Sequence, residues 1–530
     1  MVKNLLFIFI LAVFFISCKE KVEVVPEVTI EEIELDSLNR IKMVSIDTLS
    51  LEAISDSLIQ SFYLNNQLKT FWVSDQSRGA LVNELLKVEE EGLFEKHFDL
   101  DSIQKHETIL EKLSDKELIS YDFLLTKNLL RYIYKVSKGS INPKEMYEDY
   151  ELKPDTFDFK TTLLRFQKED FDKVINDIKP QHIVYKKLRT ALELINEFPN
   201  KNLPIIEIDD KLEISDTTET VIALKERLIF WKDLKQQDSI TPVFDEETEL
   251  AVKKFQMRHG LATDGVVGVG TLYALNKNPE ERRFQIIANM ERWRWYPRDL
   301  GDDYLIINIP DYTLHAIKNN DTTKTNRVIV GKSSRRTPVL TSKFSHLVFN
   351  PTWTIPPTIK KNDIVPSVKK DRGYLASKNM TVYDRQGNKV SAEDWNEKDA
   401  LSYRYVQSPG AYNSLGLVKF MFPNRFMVYL HDTNSRSFFD KANRSLSSGC
   451  VRVQDPFDLA AYLLDDEKKW SLETINALVK TNNTKEAKMT KDVNVHLFYW
   501  TAWSENGTLQ FRDDLYNKDE ALYKALLELD

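Results

Sequence analysis

The spacing of apolar residues changes near residue 300, and that change limits the fold more than any other feature. From about Ile46 to Pro199 they recur mostly at i, i+3 and i+4, as in Leu81-Leu85-Leu86-Val88, Leu124-Leu125-Leu129-Leu130 and Leu188-Ala191-Leu192-Leu194-Ile195. This is the period of helices that bury one face. After Asp303 the pattern becomes short strand-like segments, 'YLIINIPDYTLHAI', 'NRVIVG', 'SHLVFNPTWTIP' and 'NRFMVYLH', separated by turns. Gly and Pro become frequent there. A chain of 530 residues is too long for a single core. The expected architecture is multidomain α+β, with helices first and a mostly β domain last.

Composition narrows the class. Hydrophobic residues make up 42% and charged residues 29%, which is globular and not disordered. The net charge of -8, with no basic stripe, gives no support for a nucleic-acid partner. Two cysteines, Cys18 and Cys450, cannot form a disulfide framework or a zinc site by themselves.

The N-terminus reads as an address. Lys3 precedes an apolar run, Leu5 to Ile16, that is too short to cross a bilayer comfortably but suits a secretory signal. Cys18 follows Phe15-Ile16-Ser17 and resembles a bacterial lipobox, so residues 1–18 are expected to be a lipoprotein-type signal with Cys18 lipidated. A plain signal peptide or a single membrane anchor are the other readings. Each puts the body outside the cytosol. Residues 19–45, which include Pro26, read as a linker.

Residues 46–215 are expected to form a helical scaffold without chemistry of its own. The aromatics of 'SFYLNNQLKTFW' (61–72) are assigned to its core. Residues 219–278 are more distinctive. Leu224, Leu228 and Trp231 predict one helix. Asp245 predicts the cap of a second, with Leu250, Val252 and Phe255 on its apolar face. Gly260, Gly265, Gly268 and Gly270 punctuate turns, and Thr271 is expected to cap a last helix carrying Leu272 and Leu275. Residues 279–302, with 'RRFQIIANMERWRWYP', read as a linker helix between domains or part of a substrate rim.

The candidate chemistry lies in 'VYLHDTNSRSFFDKANRSLSSGCVRV' (428–453). His431 is expected at the end of the strand Phe426–Leu430. Cys450 follows Ser447-Ser448-Gly449. A thiol needs a nearby base or cation to ionise at neutral pH. Gly449 would allow close backbone approach, and free N–H groups there could hold an oxyanion. Spacing alone leaves open whether His431 reaches Cys450, since a lone histidine can be a core residue and Ser-Ser-Gly an ordinary loop.

The pattern His431…Ser447-Ser448-Gly449-Cys450-Val451-Arg452 resembles the signature of L,D-transpeptidase (YkuD-type) catalytic domains. Many members place a second histidine where this chain has Ser448; the longer periplasmic type carries Ser-Ser-Gly-Cys. 'NPTWTIPPTI' (350–359), 'QSPGAYNSLGLVKFMFPN' (407–424) and 'VHLFYWTAWSENGTLQFRDDLY' (495–516) resemble that larger type. Residues 219–278 resemble its small three-helix peptidoglycan-binding domain. The resemblance implies a catalytic domain over 303–475, a capping insertion at about 358–404 and a C-terminal closing segment over 476–530.

The resemblance implies acyl transfer between peptidoglycan stem peptides. Cys450 would be the nucleophile and His431 its base and acid, oriented by the backbone carbonyl of Asp432. Backbone N–H groups at Gly449 and Cys450, with the Tyr429 hydroxyl, would hold the oxyanion. Arg452, Ser448, Arg444 and Trp353 are the candidate substrate contacts. No metal or organic cofactor is needed, and a carbapenem β-lactam is expected to acylate Cys450. Water as acceptor would make the enzyme a carboxypeptidase or endopeptidase. A protein amine would make it a wall-attachment enzyme, and a dead site a wall-binding scaffold.

Overall fold

The computed structural model describes residues 41–152, 156–201 and 203–529. The expected signal, with Cys18, and most of the linker lie outside these residues.

The first helices pack around Asp115–Lys138, a 24-residue helix opened by a Ser114–Glu117 capping box. Its buried face carries Leu118, Tyr121, Leu125, Leu129, Tyr132, Ile133 and Val136, at the spacing one helical face requires. Phe62, Tyr63 and Trp72 are buried in this core, so the 61–72 aromatics pack as expected. Buried Asp122 accepts hydrogen bonds from the Phe71 and Trp72 N–H groups and the Tyr63 hydroxyl. Burial nevertheless holds its carboxyl up at about 6.

This core ends at Ile178. The next helix, Ile183–Asn196, belongs to a second core that it shares with helix Pro279–Trp295 and the β domain. The helical region expected over 46–215 therefore packs as two parts. Its Tyr150–Glu151 pair also joins the main sheet as a parallel edge strand beside Val339–Lys343. Two residues carry no period, so the sequence could not reveal that strand.

Three helices, Glu219–Phe230, Glu246–Arg258 and Val269–Leu275, form the small domain. Asp245 caps the second as expected, accepting the Thr248 N–H at 2.9 Å. Two expectations are corrected. Gly268, not Thr271, is the N-cap of the last helix; the Thr271 hydroxyl sits inside, accepting from Gln256 Nε2 at 3.1 Å. Leu250 is 65% exposed, and Ala251 takes its place in the core beside Val252 and Phe255. Gln256 also donates to Asp264 and accepts from the Gly265 N–H, so this part of the motif builds the turn.

Helix Pro279–Trp295 begins with an Asn278–Glu281 capping box and is buried on almost every side. Arg292 pairs with Asp519 at 2.5 Å and Arg294 with Glu291 at 3.1 Å. Trp293, Trp295 and Tyr296 lie in the core, so its aromatic, basic end is packing and not a substrate rim.

Among the described residues the β domain forms a twelve-stranded sheet. Its path runs Tyr150–Glu151, Val339–Lys343, Asn494–Phe498, Asp303–Asn308, Thr313–Lys318, Asp321–Gly331, Val451–Val453, Leu430–His431, Val418–Met421, His346–Phe349, Lys485–Lys488. Ser445–Ser447 pairs Asp321–Gly331 off this path. The C-terminal segment is more than a closure. Asn494–Phe498 lies inside the sheet, parallel to Asp303–Asn308 and antiparallel to Val339–Lys343. The capping insertion has its own four-stranded sheet, Trp353–Thr354, Arg404–Gln407, Met380–Tyr383 and Lys389–Val390, and its own small core around Val368, Val382, Trp395 and Tyr405. It thus reaches a few residues beyond 358–404 on each side.

Candidate active site

His431 ends one strand and Cys450 immediately precedes the strand beside it. Leu430–His431 runs parallel to Val451–Val453, with Leu430 opposite Val451 and His431 opposite Arg452. One step back, the Val451 N–H donates to the Tyr429 carbonyl at 3.1 Å, which sets Tyr429 beside Cys450. Strand alternation puts Tyr429 and His431 on one face, their rings 5.8 Å apart. On the other side, Lys419 of strand Val418–Met421 is the antiparallel partner of His431. Arg452, His431 and Lys419 therefore form a row across three strands.

The strand expected from Phe426 is only Leu430–His431. Asn424 explains the difference: its side chain bonds both the N–H and the carbonyl of Val428. That closes a turn with Met427 left-handed at φ 56°. Arg425 meanwhile reaches out to the Glu148 and Tyr150 carbonyls.

His431 Nδ1 sits 2.5 Å from the Asp432 carbonyl. A carbonyl can only accept, so Nδ1 carries the proton and the other ring nitrogen keeps the lone pair. Burial, reinforced by the Arg452 charge, pushes His431 down to about 3, against the pull of the Asp432 and Leu415 carbonyls. Asp432 contributes through both ends. Its carboxylate accepts the Leu417 N–H at 2.9 Å and pairs with Arg436 at 3.1 Å. Gly416, at φ +63°, must lack a side chain, because a Cβ there would lie 2.4 Å from the Asp432 carboxyl.

Cys450 is half-buried, and burial pushes its thiol up to about 11. The Tyr429 N–H, the Arg452 charge and the Tyr429 hydroxyl pull the other way. The neighbourhood expected to ionise the thiol thus holds it neutral in this structure, because desolvation outweighs those three contributions. Burial raises the Tyr429 hydroxyl's pKa first of all, and the neighbouring Trp353 works against that rise. Tyr429 thus lies between Trp353 of the capping sheet and Cys450.

One turn, residues 331–337, holds the loop that leads into Cys450. The Lys332 N–H donates to the Ser447 carbonyl at 3.1 Å, the Thr337 hydroxyl to the Gly449 carbonyl at 2.8 Å, and Arg335 Nη1 to Ser448 Oγ at 2.9 Å. Tyr516 secures the turn by donating to the Gly331 carbonyl and accepting the Thr337 N–H. Gly449 has φ +113°, with the Arg336 carbonyl 3.2 Å from where a Cβ would stand. Arg335 also pairs with Asp363 of the capping insertion at 2.5 Å.

The remaining candidates separate. The Gly449 N–H, expected to face an oxyanion, donates to Ser447 Oγ at 3.1 Å. Arg452 is half-buried, and its buried Nε has no acceptor among the described residues. Arg444 spends Nε, Nη1 and Nη2 on the Val328, Lys441 and Tyr312 carbonyls, a framework role in place of the substrate contact expected. Lys419, Arg335 and Thr337 escaped sequence reading because only strand register and loop packing bring them to the site. No cluster of three or more metal-ligating side chains occurs among the described residues.

Three domain families match along the chain: a "Scaffold domain" over 57–192, a "Putative peptidoglycan binding domain" over 217–275 and an "L,D-transpeptidase catalytic domain" over 302–479. A Haemophilus influenzae protein described as a "Putative L,D-transpeptidase" is 39% identical over 249 residues, 46% of this chain and 50% of that protein. The match thus spans half the length of that relative. Crystal structures of L,D-transpeptidases from Stackebrandtia nassauensis and Xylanimonas cellulosilytica align at 14% and 16% identity. They cover 56% and 55% of this chain, 100% and 99% of their own, with TM-scores of 0.21 and 0.18.

Proposed function

Because this chain carries an L,D-transpeptidase catalytic domain together with a scaffold domain and a peptidoglycan-binding domain, we propose that it cross-links peptidoglycan stem peptides through a Cys450 thioester. The observation that carries this reading is the pairing of strands Leu430–His431 and Val451–Val453, with His431 Nδ1 fixed on the Asp432 carbonyl.

Cys450 Sγ attacks the carbonyl of the L,D bond that follows the diamino acid of a tetrapeptide stem. The unprotonated nitrogen of His431 takes the thiol proton. The resulting oxyanion meets the Cys450 N–H and the Tyr429 hydroxyl, and Gly449 joins them only if its N–H leaves Ser447. The carbon–nitrogen bond breaks, His431 returns the proton, and D-alanine leaves as the amine. The side-chain amine of a second stem attacks the thioester, giving up its proton to His431. The thiol is regenerated and an amide joins the two third residues. A neutral thiol and a neutral imidazole suit this cycle: the proton moves as the carbonyl is attacked. Arg452, with Ser448 and Trp353 at the rim, contacts the stem.

The same reading puts the body outside the cytosol, tethered by a lipid on Cys18, and makes Cys450 a target for carbapenem acylation. No described helix is long and apolar enough to cross a membrane. The test is mass spectrometry of products from a disaccharide-tetrapeptide, beside Cys450→Ala and His431→Ala. A dimer lacking one D-alanine, absent with Cys450→Ala, is expected. A shortened monomer alone would replace cross-linking with carboxypeptidase action, and no product at all would overturn the acyl-transfer reading.

A further inference from the structure

Lys419 has no role so far. It lies opposite His431 in the antiparallel register, and directly paired residues project to the same face of a sheet. Its Nζ is 5.8 Å from the Tyr429 ring centroid, and the Tyr429 hydroxyl reaches the Cys450 thiol. The side chain is half-buried. Among the described residues it has neither an ion-pair nor a hydrogen-bond partner, and burial alone lowers its pKa.

Its stem is packed against the sheet while Nζ keeps access to solvent, so the charge is presented at this face with the Tyr429 ring beside it and, among the described residues, no carboxylate paired to it. The row of strands places Arg452 on one side of His431 and Lys419 on the other. At ~4.8 Å per strand their backbones stand about 10 Å apart, with the reacting centre near the end of the strand between them. Two cations flanking a site, one with an unpartnered Nε and the other with no counter-ion, suit a substrate that brings its own carboxylates.

We propose that Lys419 is a second anionic subsite of the catalytic face, binding a stem-peptide carboxylate and selecting free-acid over amidated stems. The inference rests on the acyl-transfer reading, so its test uses a binding measurement that needs no turnover. Calorimetry of the full chain carrying Cys450→Ala is run with a synthetic tetrapeptide stem, as the free acid and with every carboxyl converted to carboxamide. Lys419→Met and Lys419→Arg are made in the same background.

Lys419→Met is expected to weaken the free-acid stem about tenfold or more, the scale of a charge-assisted hydrogen bond. It should leave the amidated stem unchanged, and Lys419→Arg should restore most of the loss. Iodoacetamide alkylation of Cys450, measured with Lys419→Met on the otherwise native chain, should keep its rate. Equal weakening of both stems, no weakening of either, or a changed alkylation rate without an affinity difference would each overturn the subsite. The last of these would make Lys419 an electrostatic neighbour of the thiol. If the native chain turns over no stem yet the free-acid selectivity appears, the subsite stands and the acyl-transfer reading falls.

Discussion

With its thiol held near 11, Cys450 is a thiolate in only about one molecule in ten thousand at pH 7, against about one in thirty for an ordinary cysteine. Its alkylation by iodoacetamide should therefore be some tens of times slower than that of a free thiol at pH 7, after allowing for the greater nucleophilicity of a more basic thiolate, and should rise about tenfold per pH unit up to pH 10. Steric shielding lowers every point of such a profile but leaves its slope unchanged, so the slope reports the ionisation. The assay is peptide-level mass spectrometry on the full chain, which separates Cys450 from Cys18. Arg452→Gln should slow the reaction further, because the guanidinium favours the thiolate. A resting thiolate–imidazolium pair would instead give a rate that levels off above about pH 6. Such a plateau would refute the account of a proton that moves only during attack.

Thr337→Val should cost about 1–3 kcal/mol for each buried group left unpaired, the Gly449 carbonyl and the Gly331 N–H; an unchanged urea midpoint would count against the turn as the loop's anchor. Gly416→Ala would bring a Cβ to within 2.4 Å of the Asp432 carboxyl. Acylation of Cys450 should fall steeply, and near-native activity would show that Asp432 does not set the imidazole. His431 binds its proton at about 3 when folded and near 6.5 when unfolded. The unfolded chain therefore holds more protons between these values, and stability is lost as pH falls through that window. His431→Asn should flatten the acid limb of the unfolding free energy, whereas an identical limb would refute the buried neutral imidazole. Asp363→Asn should loosen the capping insertion from Arg335 and raise the KM for the stem while leaving iodoacetamide alkylation alone; a change in alkylation but not in KM would contradict that reading.

The sequence by itself determined what local patterns can encode. The helical period fixed the first half of the chain, and Asp245 with the glycine-punctuated turn fixed the small three-helix domain. Cys450 and His431 were singled out by the resemblance of His431…Ser447-Ser448-Gly449-Cys450-Val451-Arg452 to the L,D-transpeptidase signature, since an ordinary loop and a lone histidine would not have marked them. Tyr429 and Arg452 came with the same resemblance, each two residues from a motif residue. Local pattern failed where a side chain overruled it: Asn424 turned the apolar run before Leu430 into a loop, and Leu250 fell outside the core although its type suited the interior.

Only the tertiary structure could decide the rest, because it depends on partners distant in sequence. The parallel pairing of residues 430–431 with 451–453 set His431 beside the strand that follows Cys450, and the antiparallel pairing with 418–421 put Lys419 opposite His431. A turn more than a hundred residues upstream holds the loop that leads into Cys450. Whether the thiol rests ionised was also beyond the sequence, since the motif supplies the groups that favour a thiolate while the depth of burial, a property of the whole fold, sets the larger opposing contribution.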